Sequence, residues 1–252
     1  MQIKKTIVLF GPNGNLGKSI LEKTLEEYFV IGISRNASKL KISNHLEKFY
    51  YPLDIDLIEF NEDNLFSYLN DFLDKKKSLL HGIVNNSYFG YPKNPFDIGK
   101  LDVSRSAEGI FGVQVRSILL LKKYLKEGSS IINVCSMYGK VAPKFNIYKN
   151  KDEINALLYG SMKAALIQAS KWLSSFLGSY GIRVNSVSYG PFPSLEVQKM
   201  NPDFIKNLEK QTHLNRVGKS EEAGGIIKFL LSNDSSYITG ADIAVDGGWT
   251  AW

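Results

Sequence analysis

The sequence alternates short apolar runs rich in β-branched residues with longer amphipathic stretches, and this alternation constrains the fold more than any other feature. The first apolar run is Ile7–Phe10, and a helical pattern from about Leu16 to Glu27 separates it from the next run, Val30–Ile33. Strands that are apolar at nearly every position are typical of parallel sheets, because helices cover both faces of such sheets. The pattern therefore predicts an α/β protein.

Similar strand-like runs follow at Phe49–Leu53, Gly82–Val84, Ile131–Cys135, Ile182–Val187 and Asp242–Val245. Right-handed crossovers between parallel strands give a doubly wound, Rossmann-type sheet with helices on both faces. No internal repeat or low-complexity linker divides the 252 residues, so we assign residues 1–252 to a single domain. Two segments interrupt the pattern: a polar insert near 143–156 and a loop near 189–203, which we expect to contact substrate.

Composition narrows the range of partners. The formal net charge is +6, but the lysines are scattered and no aromatic residues are interleaved with them, so we expect no nucleic-acid partner. No apolar run reaches the roughly 18 residues of a membrane span, and the N-terminus does not resemble a secretory signal. The single cysteine, Cys135, suits a reducing compartment. We therefore expect a cytoplasmic protein without a membrane partner.

The three histidines give no indication of a metal site. His45, His81 and His213 lie far apart in the sequence and do not have the spacing of metal ligands. We therefore predict no bound metal.

A glycine-rich turn, Gly11–Gly17, follows the first predicted strand and opens the first predicted helix. Glycine allows the backbone to turn sharply and to approach a pyrophosphate, whose charge the N–H groups at a helix N-terminus then meet. A glycine turn alone is a weak signal, but its position at the first strand–helix junction strengthens it. This turn predicts a dinucleotide site.

The end of the second predicted strand distinguishes the two nicotinamide cofactors. An acidic residue there binds the ribose hydroxyls of NAD, whereas a basic residue accommodates the additional phosphate of NADP. The sequence has Ser34, Arg35 and Asn36 at this position and no carboxylate. A guanidinium forms strong hydrogen bonds with phosphate, so NADP(H) is favoured over NAD(H).

Tyr159 and Lys163 stand four residues apart, on one face of a predicted helix. A nearby ammonium favours the phenolate form of a tyrosine, so we expect Lys163 to lower the pKa of Tyr159 and to let it act as an acid or base. Ser136 follows the fifth predicted strand and is suited to polarise a substrate oxygen. These three residues are the predicted catalytic group.

In combination, these motifs resemble the compact subclass of the short-chain dehydrogenase/reductase family over essentially the whole chain. The matching features are the glycine turn, Asp54–Ile55, Asn85–Asn86–Ser87, the Ser136/Tyr159/Lys163 set, Arg183–Asn185, Tyr237–Gly240 and Val245–Gly248. The resemblance implies hydride transfer between a nicotinamide dinucleotide and a ketone or secondary alcohol, and a homo-oligomer, either a dimer or a tetramer.

The resemblance also implies which residues contact the cofactor. Asp54 and Ile55 are expected to hold the adenine, and Asn85 the adenosine ribose region. The full set of expected cofactor contacts is Gly11, Asn13, Gly14, Asn15, Leu16, Gly17, Ser34, Arg35, Asn36, Asp54, Ile55, Asn85, Asn86, Ser87, Tyr159, Lys163, Gly190, Phe192 and Ser194.

Several positions depart from the compact subclass. Asn15 stands where a second glycine is usual, and Ser87 and Tyr88 stand where Ala-Gly is usual. The family's asparagine on the fourth helix, which organises a proton-relay water, corresponds to Glu108 by spacing and to Gln114 by local pattern. The insert is similar to that of dehydrogenases from flagellin-modification and surface-glycan pathways, which indicates a sugar derivative as the substrate.

Two other functions remain open on the sequence. The Gly11, Gly14 and Gly17 spacing is that of sugar-nucleotide epimerases and dehydratases, although the residues after Tyr189 leave little room for their substrate domain. A non-catalytic dinucleotide-binding sensor or assembly subunit is the second alternative, and the intact Ser136, Tyr159 and Lys163 argue against it. The apolar ending, Trp249–Trp252, suggests burial at a subunit contact.

Overall fold

The computed structural model describes residues 5–58, 67, 69, 72–73, 79–89, 97–149, 154 and 157–252. Seven strands form one sheet: β1 Lys5–Phe10, β2 Tyr28–Ser34, β3 Tyr50–Asp54, β4 Leu80–Asn85, β5 Leu125–Ser136, β6 Arg183–Tyr189 and β7 Asp242–Val245. The strand order is β3-β2-β1-β4-β5-β6-β7, and each neighbouring pair is parallel. This confirms the doubly wound α/β fold that the alternation predicts.

The helices in the described part of the chain are α1 Asn15–Leu25, α2 Asn44–Glu47, α3 Lys100–Ala107, α4 Val113–Leu121, α5 Leu157–Gly178, α6 Leu195–Met200, α7 Pro202–Glu209 and α8 Ala223–Leu231. A π-helical turn, Glu108–Gly112, joins α3 to α4. Successive side chains of a strand point to opposite faces of the sheet. In β1, Val8 packs against the face covered by α4 and α5, and Leu9 against the face covered by α1 and α8.

The short helix α6 and the start of α7 lie within the segment 189–203, which the sequence pattern presented as an irregular loop. Ser194 caps α6, with its side chain accepting a hydrogen bond from the Val197 N–H. Pro202 lies at the first position of α7, where a missing N–H costs nothing. Both helices are too short for periodicity to reveal them, and only their capping residues were visible in the sequence.

The C-terminal tryptophans differ in their surroundings. Trp249 is 1% exposed within the single chain and packs edge-on against Tyr138 at a ring-centroid distance of 6.5 Å. Trp252 is exposed and lies against the ring of His213. The chain's own fold therefore buries Trp249, and no subunit contact is needed to account for it.

The outer face of α5 carries a row of exposed aromatic rings. Trp172 stacks on Phe176 at 5.4 Å, and Phe176 contacts Tyr180 at 6.2 Å. Leu119 of α4 is also exposed, and Lys122 lies 4.0 Å from the centre of the Tyr180 ring. Contiguous apolar surface of this kind often marks a contact with another protein surface.

None of the described helices combines the length and the apolar character required to cross a bilayer.

Candidate active site

A cleft of about 520 Å³ opens at the carboxyl edge of the sheet, where the strand order reverses between β1 and β4. Ligands of doubly wound sheets bind at this kind of reversal. Most of the residues expected from the sequence line the cleft: Gly11, Asn13, Gly14, Asn15, Leu16, Ser34, Arg35, Asn36, Ile55, Asn86, Ser87, Ser136, Tyr159, Lys163, Gly190 and Phe192.

The glycine turn depends on two positions that accept no side chain. Gly11 has φ +75°, and a Cβ placed on it would lie 2.8 Å from the Ser87 backbone nitrogen. A Cβ on Gly17 would lie 2.1 Å from the Gly11 carbonyl oxygen. Gly17 is buried and does not line the cleft, but its lack of a side chain permits this close contact. Helix α1 begins at Asn15, so its first N–H groups lie beside the cleft.

The loop after β4 forms the opposite wall of this turn. Asn86 Nδ2 donates to the Gly11 carbonyl at 2.8 Å. Ser87 Oγ is buried beside the cleft and has no hydrogen-bond partner among the described residues. The close backbone cradle, the helix N-terminus and this free hydroxyl together suit the phosphates and ribose of a dinucleotide.

Asn15, the departure from the usual glycine, joins two walls of the cleft. Its Nδ2 donates to the Phe192 carbonyl at 3.0 Å, and its Oδ1 accepts from the Ser220 hydroxyl at 2.7 Å. Sequence reasoning placed Asn15 at the cofactor but missed this bridge to the segment after β6.

Polar residues that follow β2 form the far end of the cleft. The Ser34 hydroxyl donates to Asn13 Oδ1, and Asn13 Nδ2 donates to the Asn36 carbonyl at 2.8 Å. The Arg35 guanidinium lies 5.6 Å from the centre of the Phe89 ring. The structure thus brings Asn13 and the Ser34–Asn36 segment together.

Three expected cofactor contacts lie elsewhere. Asn85 is buried below the cleft, and its Nδ2 donates to Asn133 Oδ1 at 2.8 Å. Asp54 accepts hydrogen bonds from the Ser38 hydroxyl and N–H, and these bonds lower the pKa of its carboxyl. Ser194 caps α6. None of these three lines the cleft. Neighbouring residues at a strand end point in opposite directions, so only one of them faces the cleft. In short loops, polar side chains often form hydrogen bonds with nearby backbone groups instead of facing a ligand.

The predicted catalytic residues converge at the other end of the cleft. Ser136 is the last residue of β5, and Tyr159 and Lys163 lie one turn apart on α5. Ser136 is hydrogen-bonded to Tyr159. The Lys163 ammonium is buried, donates to the Val134 carbonyl at 2.6 Å and lies 5.8 Å from the centre of the Tyr159 ring.

The pKa of Tyr159 differs from expectation. Burial raises the pKa of Tyr159 to about 12, and this effect outweighs the hydrogen bond from Ser136, which acts in the opposite direction. Burial also lowers the pKa of Lys163. The expected lowering of the Tyr159 pKa by Lys163 is therefore not found in this structure, because the ammonium is directed to the Val134 carbonyl and desolvation dominates.

The two candidates for the relay position are now distinguished by where they lie. Glu108 is at the surface, where it pairs with Arg116. Gln114 is fully buried, and its Nε2 donates to the Ser87 carbonyl at 2.6 Å. Gln114 is therefore the one that reaches the floor of the site, and a role in proton relay remains a hypothesis.

The described part of the insert packs on α7 and the C-terminus. The Tyr138 and Tyr148 hydroxyls lie 2.9 Å apart, and Tyr148 packs on Phe204 of α7. Lys144 donates to Gln211 at 2.9 Å. Lys149 pairs with Asp203 at 3.6 Å. Positions 150–153, 155 and 156 of the insert lie outside the described residues.

Several lining residues were not among the expected ones: Ile33, Leu57, Tyr88, Phe89, Val134, Cys135 and Tyr189. Tyr88 was noticed only as a departure from family preference, and that departure was the one available signal. Cys135 is buried, and burial raises the pKa of its thiol to about 12, so it is not a reactive nucleophile.

In the part of the chain that the structure describes, no group of three or more His, Cys, Asp or Glu side chains is arranged to hold a metal ion.

Comparison with known proteins agrees with this geometry. The family model described as enoyl-(acyl carrier protein) reductase matches residues 69–250. The post-translational flagellin modification protein A of Campylobacter coli is 27% identical, over 97% of this chain and 98% of that protein. The 7alpha-hydroxysteroid dehydrogenase of Bacteroides fragilis is 26% identical, over 98% of this chain and 94% of that protein.

Solved structures show the same fold. A short-chain dehydrogenase family protein from Francisella tularensis superposes with a TM-score of 0.82 at 25% identity, covering 99% of this chain and all (100%) of that one. A short-chain dehydrogenase from Leptospira borgpetersenii, solved with bound NAD+, has a TM-score of 0.81 at 23% identity, covering 98% and 93% of the two chains. The chain belongs to the short-chain dehydrogenase/reductase family and is an NAD(P)-dependent oxidoreductase.

Proposed function

We propose that this protein is an NADP(H)-preferring reductase of ketones, or dehydrogenase of secondary alcohols, with Ser136, Tyr159 and Lys163 as its catalytic residues. One observation carries the proposal: these three residues line one end of the cleft whose other end holds the glycine turn and Arg35. Oxidation of NADPH in the presence of a panel of ketones tests it. Tight NADPH binding without turnover of any ketone would support the sensor alternative instead.

The bound nicotinamide supplies or accepts the hydride. Ser136 Oγ hydrogen-bonds the substrate oxygen and holds it beside the Tyr159 hydroxyl. Tyr159 donates its proton to that oxygen in reduction and removes it in oxidation. Lys163 fixes the helix that bears Tyr159 to β5 through the Val134 carbonyl, and its ammonium is suited to the nicotinamide ribose.

The preference for NADP(H) rests on the end of β2. Ser34, Arg35 and Asn36 line the cleft there, and none of them is acidic. Asp54, at the adjacent end of β3, is occupied by hydrogen bonds from Ser38. A 2′-phosphate therefore meets a guanidinium in this part of the cleft.

We also propose a sugar derivative as substrate and a homo-oligomeric assembly. The relative named for flagellin modification supports the first proposal, because it is 27% identical to this chain over 97% of its length. The exposed row formed by Trp172 and Phe176 of α5 and Tyr180 just after it supports the second, since a second copy of the chain would remove this row from water.

Tyr159→Phe retains the aromatic ring and removes only the proton donor. We expect kcat to fall about 10²- to 10⁴-fold while the Kd for NADPH stays within about threefold of the wild-type value. Steady-state kinetics and a fluorescence titration measure the two effects. Tyr237→Phe, on a fully exposed tyrosine, is the matched control. Near-normal turnover of Tyr159→Phe would show that Tyr159 is not the acid.

Ser136→Ala removes the hydrogen bond that lowers the pKa of Tyr159. Alcohol oxidation requires the phenolate, so kcat/KM for oxidation rises with pH toward the Tyr159 pKa, and in this variant the rise shifts to higher pH. Reduction uses the protonated phenol, which is populated at neutral pH in both proteins. A pH–rate profile of oxidation at saturating cofactor measures the shift. Ser136→Thr retains a hydroxyl and should keep the wild-type profile; an unmoved profile in Ser136→Ala would contradict the assignment.

Arg35→Ala should weaken NADPH binding roughly tenfold or more and leave NADH binding nearly unchanged, because a charge-assisted contact with phosphate contributes about 1.5–3 kcal/mol. Calorimetric titration of both cofactors measures the ratio. The control is Lys41→Ala, which removes an equal charge from a nearby exposed residue that does not line the cleft and should leave the binding of both cofactors unchanged. Equal wild-type affinities for the two cofactors would refute the preference.

Trp172→Glu places a charge in the middle of the exposed aromatic row. We expect light scattering to show an oligomer for the wild type and a smaller species for this variant, because burying a carboxylate in an apolar contact is costly. Tyr237→Glu makes the same kind of change on a ring outside the row. An unchanged mass for Trp172→Glu would place the subunit contact elsewhere.

A further inference from the structure

Tyr88 stands on one of the most tightly held backbone segments of the cleft. Ser87, immediately before it, lies against Gly11 so closely that a Cβ on Gly11 would come within 2.8 Å of the Ser87 nitrogen. The Ser87 carbonyl accepts a hydrogen bond of 2.6 Å from the buried amide of Gln114. The backbone that positions Tyr88 is therefore anchored to both β1 and α4.

The Tyr88 side chain is not held by the core. It lines the cleft but is 57% exposed. Its ring meets the Tyr159 ring edge-on, with 5.5 Å between the centroids and 67° between the planes. An exposed ring on an anchored backbone, directly beside the catalytic hydroxyl, is available to a substrate.

Two further aromatic rings line the same cleft. Tyr189 and Phe192 pack edge-to-face at a centroid distance of 5.4 Å, and both line the cleft. Aromatic faces favour the C–H surface of a ring. A cyclic substrate that packs on Tyr88 would therefore lie in a cleft whose lining is rich in aromatic carbon.

Charge is scarce at this end. Among the described residues that line the cleft, Arg35 and Lys163 carry the only charges. Arg35 lies at the far end, after β2, and Lys163 is buried against the Val134 carbonyl. The insert lysines Lys144 and Lys149 bond to Gln211 and Asp203, and neither lines the cleft. Among the described lining residues, the reacting end therefore offers hydroxyls and rings instead of cationic groups.

We propose that Tyr88 is a specificity-determining residue, and that the substrate is an uncharged cyclic ketone or secondary alcohol with a second oxygen next to the reacting carbon. The ring of the substrate packs on Tyr88, and the Tyr88 hydroxyl hydrogen-bonds the second oxygen. This inference rests on the proposed function, of which it names the substrate class.

A matched pair of ketones tests the inference. Cyclohexanone and 2-hydroxycyclohexanone differ by one hydroxyl, and the wild type should have the higher kcat/KM for the second. Tyr88→Phe should reduce that ratio roughly threefold to tenfold, the usual effect of one hydrogen bond. Tyr88→Ala should raise KM for both ketones with a smaller change in kcat. Tyr51→Phe, outside the cleft, should leave all values unchanged.

A second readout separates contact with the substrate from a general structural effect. Charge repulsion from the phenolate form of Tyr88 raises the pKa of Tyr159. Tyr88→Phe should therefore shift the rise of kcat/KM for oxidation to lower pH, which is the direction opposite to that expected for Ser136→Ala. Destabilisation of the fold would lower the rate without this shift.

Four results would overturn the inference. An unchanged ketone ratio in Tyr88→Phe would exclude the hydrogen bond, and unchanged KM values in Tyr88→Ala would exclude the packing contact. A wild type that prefers levulinate, a ketone with a carboxylate, over the cyclic pair would refute the substrate class but leave the proposed function intact. If neither these ketones nor any ketone of the wider panel supported oxidation of NADPH, the proposed function would be contradicted, and the inference with it.

Discussion

The site depends on one backbone contact, that of the turn after β1 with the loop after β4. Gly11 meets Ser87 on one side, and its carbonyl oxygen meets Gly17 on the other, at distances that exclude a methyl group at either glycine. The same carbonyl accepts the Asn86 amide. Because three segments meet without intervening side chains, the position of α1, the floor of the cleft and the base of Tyr88 are set together. A single added Cβ would displace all three.

Below this contact lies a chain of buried polar groups. Asn85 bonds to Asn133 at 2.8 Å, and Asn133 bonds to the Ser170 hydroxyl at 2.9 Å. These hydrogen bonds run from β4 through β5 to α5, and thus connect the cofactor side of the sheet to the helix with Tyr159. Buried networks of this kind are stabilising when every member is bonded, and they exclude alternative packing of the strands. Asn85 acts here through structure instead of through contact with a ligand.

Much of the fold was predictable because its signals are local. Each of the seven strands coincides with a strand-like run in the sequence, and a glycine turn at the first strand–helix junction has few other uses. That Tyr159 and Lys163 line the same cleft was predictable, because residues four apart share one face of a helix. The other features of the site depend on which way each side chain points and on contacts between segments that are distant in the sequence. Sequence does not reveal that Asn86 faces the cleft while Asn85 faces the core, or that Asp54 is used by Ser38. The pKa of Tyr159 was likewise misjudged, because spacing shows the nearby ammonium but not the burial of both groups.

The hydrogen bond from Lys163 to the Val134 carbonyl has a consequence for how this protein family can vary. Val134 lies two residues before Ser136 on β5, and Lys163 lies one turn after Tyr159 on α5. This bond fastens the helix that carries Tyr159 directly to the strand that carries Ser136, so their alignment does not rely on the covalent connection between them. Insertions and deletions between Gly139 and Leu157 therefore need not change the alignment of Ser136 with Tyr159. Evolution is able to lengthen or rewrite this stretch for new substrates while the chemistry of the strand and helix is inherited unchanged.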